Sequence, residues 1–100
     1  MELETFRATL AANAAPEGLP SALRALWLVA KGDWDNAHQI AQNDDGADGA
    51  WVHAYLHRLE GDLSNAAYWY HRAGRTAGQT TLQAEWNEIV EALLNGRQTA

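Results

Sequence analysis

The stretch Lys31-Gly32-Asp33-Trp34-Asp35-Asn36-Ala37 returns 29 residues later as Glu60-Gly61-Asp62-Leu63-Ser64-Asn65-Ala66. Glycine lacks a Cβ and so tolerates the left-handed backbone that commonly ends a helix. An aspartate that follows can accept hydrogen bonds from the free amides opening the next helix. Written twice, the pattern predicts two helical hairpins. A hairpin cannot bury its apolar face alone, so the two are expected to stack. With 100 residues, the chain is long enough for one domain with a modest core and too short for two.

Apolar spacing extends the helical reading to both ends. Leu3, Phe6 and Leu10 form one stripe of a first helix over about 2–14, ended by Pro16-Glu17-Gly18-Leu19-Pro20. A second helix over about 21–31 carries Leu23, Leu26, Trp27 and Ala30, with Ser21 as its expected cap. A third covers about 35–43 behind Asp33 or Asp35. The run Asn43 to Gly49 is a loop by composition. The fourth covers about 48–60 with Asp48 as expected cap, and the fifth about 63–74 behind Asp62 or Ser64. Thr80 with Gln83 suggests a capping box for the last, about 81–95, which should bury Leu82, Trp86, Ile89, Val90 and Leu93. Asn95-Gly96 should close it, leaving a short polar tail. The expected organisation is one all-α domain over 1–100, with repeat units at about 21–43 and 48–74 and capping helices at about 2–14 and 81–95.

Charge and composition exclude several function classes. The net charge is −6, which opposes general binding to nucleic acid or to an anionic membrane, since both need basic surface. No window approaches 18 continuous apolar residues, and the acidic start is not expected to act as a signal peptide, so a cytoplasmic location is the expectation. With no cysteine, disulfides, zinc–thiolate sites, iron–sulfur clusters and thiol catalysis are excluded. The serines Ser21 and Ser64 fall at helix starts and no phosphate-binding glycine loop is present, so no enzyme activity and no cofactor are expected. Asp33, Asp35, Asp44, Asp45 and Asp48 do not match the calcium-loop spacing and read as caps and solvated loop.

Helices two to five resemble tetratricopeptide (TPR)-type repeats over roughly residues 22–74. The second unit supplies Ala54, Gly61-Asp62, Ala66, Tyr70 and Ala73 at matching intervals. The first supplies Ala25, Gly32-Asp33 and Ala37 but departs at Ala41 and Asp44. The period is 29 against about 34 in the family, which implies a shortened connecting loop. Ala54 and Ala66 are expected where two helix backbones cross closely, because a larger side chain there would overpack. The resemblance implies a right-handed α-α superhelix of two hairpins. The flanking helices would serve as caps, because a stack usually needs about three repeats. If a face stays uncovered, a homo-oligomer is the alternative. Leu26 and Val29 fall where such repeats line their concave surface, and the first helix is expected to cover them. The run from Trp51 to Arg58, with Gly61-Asp62 and Asn65 to Tyr70, also looks like a small family of bacterial single-domain proteins with no associated activity.

Residues 51–75 set a cationic, aromatic island in an acidic chain: Arg58, Arg72 and Arg75 stand against Glu60 and Asp62, alongside His53, His57 and His71. Trp51, Tyr55 and Arg58 share one helix face. By the resemblance, that face lines the concave groove; the competing account is that the last helix packs over Trp51 and Tyr55. Aromatic rings and arginine are enriched at interface hot spots, and arginine grips carboxylates with paired hydrogen bonds. The leading expectation is therefore a non-enzymatic interaction module for an unidentified protein or peptide. Trp51 and Tyr55 would be its anchors, with Arg58, Arg72 and Arg75 as charged contacts. Arg72 and Arg75 also simply complement the end of the fifth helix. His53 and His57, one turn apart, are expected to be partly buried and hydrogen-bonded, for instance to Tyr68. The alternative function is small-ligand or metal binding by His53, His57 and His71 with the nearby arginines, His71 or Glu60 being the third ligand to a metal.

Overall fold

A computed structural model describes residues 1–96; the polar tail at 97–100 lies outside them. Six α-helices account for the regular structure of the described residues, which contain no strand: α1 Leu3–Ala8, α2 Ser21–Ala30, α3 Trp34–Gln42, α4 Ala47–Leu59, α5 Leu63–Ala73 and α6 Leu82–Gly96. A 3-10 turn at Thr9–Ala11 prolongs α1. None of the helices is long and apolar enough to cross a membrane.

The repeated Gly-Asp pair performs three tasks in two residues. Gly32 and Gly61 take φ values of +89° and +87°, which lets the chain turn back over the last turn of α2 and α4. The amides of Gly32 and Asp33 then donate to the carbonyls of Val29 and Leu28, both at 3.0 Å. Those of Gly61 and Asp62 do the same to Arg58 and His57, at 3.0 and 2.9 Å. This is the Schellman arrangement that satisfies orphan carbonyls at a helix end. The aspartate carboxylates then cap the next helix: Asp33 accepts from the amide of Asn36 and Asp62 from that of Asn65, each at 3.3 Å. With turns this short, α2 packs against α3, and α4 against α5.

The other expected caps differ. Ser21 lies inside α2, where its hydroxyl donates to Asp44 at 2.6 Å and leaves the helix start without a side-chain cap. Asp48 sits in the first turn of α4, which begins behind Gly46; the carboxylate near that start belongs to Asp44, which accepts from the Gly46 amide at 2.9 Å. The cap of α6 is Thr81, accepting from the amide of Ala84, and not Thr80.

The core is built around α4. Every residue from Gly49 to His57 is buried, because α2, α3, α5 and α6 all pack on this helix. Ala25, Ala37 and Ala54 have no solvent exposure and Ala66 almost none, which fits positions where helix backbones meet closely. α6 shares in the cover on Leu26, while Arg7 and Leu10 lie beside Val29. The Trp86 indole donates to the Leu26 carbonyl at 3.0 Å, and Phe6 of α1 packs against the Trp86 ring. Ile89, Val90, Leu93 and Leu94 complete the α6 contribution to the core.

Candidate metal centre

Because α4 is surrounded, its two histidines must enter the interior, and their spacing turns both toward one seam. His53 and His57 stack on each other with ring centroids 4.8 Å apart. The seam also receives His38 from α3, so three imidazoles from two hairpins converge. His38 Nε2 and His53 Nε2 lie 3.0 Å apart. One ring nitrogen from each of His38, His53 and His57 lies within 4.8 Å of the others. His53 and His57 are buried and His38 is half-buried, so the cluster has one flank toward solvent.

Surrounding groups fix the ring planes. Glu60 bonds His57 Nδ1 at 2.7 Å, which leaves Nε2 as the nitrogen that carboxylate does not engage. Trp34 lies almost parallel to His38, centroids 4.8 Å apart, and is itself anchored by donating to the Leu56 carbonyl at 3.0 Å. Trp69 of α5 stacks on His53 at 3.9 Å. His53 Nδ1 is buried and has no hydrogen-bond partner. With either tautomer, a polar atom is left unsatisfied there, on the opposite side of the ring from the Nε2 that meets His38.

The electrostatics favour the neutral form of His53 and His38. Burial, then the neighbouring His38 and His57, push the His53 pKa down from 6.5 to about 4. Burial and His57 also lower that of His38, opposed by the carboxylates of Glu60 and Asp35. Below pH 6.5 the unfolded chain takes up a proton at His53 that the folded chain refuses until about pH 4, so stability falls as pH falls through that window. The loss should reach on the order of 2–3 kcal/mol. Urea unfolding of wild type and His53→Leu at about pH 7 and pH 4.5 tests this. The wild type should lose ground relative to the variant in acid; an unchanged gap would contradict it.

The arrangement departs from the sequence expectations in several places. His71 is exposed on α5 and is not one of the three converging imidazoles; the third is His38. Tyr68 is exposed and pairs with Arg72 at 3.1 Å, so it is not the partner of either buried histidine. Trp51 and Tyr55 are 4% and 5% exposed. Arg58 does grip a carboxylate, but that of Glu85 in α6, at 2.7 Å, and it also donates to the Thr80 carbonyl. Arg72 lies over Trp69 as well as Tyr68, and Arg75 over Trp51. His38 had a signal in the sequence: Trp34 and His38 repeat the one-turn spacing of His53 and His57.

No family model matches this chain, and neither does any curated protein or solved structure.

Proposed function

We propose that this protein binds a divalent transition metal ion through His38, His53 and His57, with zinc the ion that suits the donors best. The observation that carries the reading is the convergence of three imidazole nitrogens within 4.8 Å across the α3–α4 seam. Zinc holds imidazole nitrogens at about 2.0–2.1 Å, which in a tetrahedral site sets them about 3.3 Å apart. The His38–His53 pair at 3.0 Å is near that spacing, and ring rotation would draw in His57. An all-imidazole set suits zinc, copper or nickel and disfavours magnesium and calcium, which prefer oxygen. A ligating histidine usually has its other nitrogen bonded to a carboxylate, and Glu60 stands in that relation to His57. Three protein ligands leave a fourth position for water on the solvent flank. Such an ion would tie the first hairpin to the second, since His38 belongs to one and His53 and His57 to the other.

The test is calorimetric titration with zinc. Wild type should bind one equivalent, and His38→Ala, altered at a half-buried site, should fold but lose at least tenfold in affinity. Equal affinity in the two proteins would remove the seam as the site.

The TPR-like superhelix is a finer reading of the same helices. It is supported by the shared Schellman-plus-cap geometry at Gly32-Asp33 and Gly61-Asp62 and by the buried alanines at the helix crossings.

A further inference from the structure

On the opposite side of α4, α6 and the connector after α5 border an open cavity of about 370 Å³. That volume falls in the range of small-ligand pockets. Its walls include Trp51, Arg75, Gly78, Thr80, Glu85 and Glu88. The Arg75 guanidinium lies 3.7 Å from the centroid of the Trp51 ring. Among the described residues, the Arg75 side chain has no ion pair and no side-chain hydrogen bond. It is an exposed residue held over an otherwise buried indole by stacking alone.

The charges in the cavity decide what could take its place. Glu85 is satisfied by Arg58 at 2.7 Å and by the Tyr70 hydroxyl at 2.6 Å. Glu88 is exposed and has no ion-pair partner among the described residues. Take Arg75 away and what remains is an aromatic face beside an uncompensated carboxylate, which is the chemistry that attracts a cation and repels an anion. We infer that this cavity is a binding site for an organic cation of the guanidinium or alkylammonium class, with Trp51 as its aromatic floor, Glu88 as its counter-charge and Arg75 as a resident surrogate that must swing out. Arg75 competes as an intramolecular ligand at high effective concentration, so the wild-type affinity is lowered by its presence. The site is independent of the histidine seam.

Butylguanidinium and its neutral isostere butylurea are the probes. Arg75→Ala should bind butylguanidinium at least tenfold more tightly than wild type and should discriminate against butylurea. Adding Glu88→Gln to Arg75→Ala should weaken butylguanidinium severalfold. If Arg75→Ala binds the cation no better than wild type, or binds butylurea equally well, the inference is wrong. Should circular dichroism show that the variant has lost its fold, the wild-type protein decides. The Trp51 indole resonance should move on millimolar butylguanidinium and stay put with butylurea; an unmoved resonance with both overturns the site.

Discussion

Replacing Glu85 by alanine should destabilise the protein by about 3 kcal/mol, the scale seen when one partner of a buried ion pair is removed. Glu85 is 2% exposed and joins three elements: its two oxygens accept from Arg58 of α4 and from Tyr70 of α5, while it sits on α6. The connector closes over it so tightly that a Cβ on Gly78 would come within 2.5 Å of its carboxylate. Truncation leaves a partly buried guanidinium without its counter-charge and a buried phenol without its acceptor. Burial, then the hydrogen bond to Glu85, hold the Tyr70 hydroxyl well above its ordinary pKa, so it is the neutral phenol that donates to the carboxylate. A domain of this size has a total stability of only about 5–15 kcal/mol, and the loss would be plain in a urea midpoint. A cost under about 1 kcal/mol would mean that the network does not organise α4, α5 and α6 as described. Glu85→Gln, which keeps shape and an acceptor, should cost less than alanine.

Zinc should raise the thermal midpoint by about 10 °C or more. A ligand at about one hundred times its dissociation constant adds about 2.7 kcal/mol, and each kcal/mol moves the midpoint of a domain this size by about 4–8 °C. A chelator should reverse the gain, and His38→Ala should not show it. The gain should shrink in acid, because zinc and protons compete for the same nitrogens. Magnesium should do nothing, since the site offers no oxygen set. A midpoint that zinc leaves unmoved at neutral pH would contradict the metal reading.

Much of the fold was legible because it rests on local chemistry. Gly32-Asp33 and Gly61-Asp62 carry their turn and cap signals within two residues, and α6 announces itself through Trp86, Ile89, Val90 and Leu93. Tertiary choices were less legible. Asp48, which spacing assigned as the cap of α4, lies in its first turn, and the helix starts at Gly46 without a side-chain cap, Asp44 bonding the Gly46 amide within the loop. Trp51, Tyr55 and Arg58 do share a face; sequence left open whether it lines a groove or meets the last helix, and did not show that Glu85 of α6 supplies the carboxylate that Arg58 grips. The histidine seam was half legible. His53 and His57 share a face by spacing alone, whereas His38 meets them only because α3 packs against α4. The sequence placed His71 in the same charged island, but its position on α5 turns it to solvent.

The account's central claim is that three imidazoles from two hairpins act as one ligand set. Titration with cobalt(II) in place of zinc tests it most directly, because the visible absorption of cobalt reports its donors and geometry. The account predicts an intense four-coordinate band that saturates at one equivalent in wild type, is displaced by zinc, and is lost in both His38→Ala and His57→Ala. The weak spectrum of the hydrated ion in wild type, or a band that survives both substitutions, would contradict it.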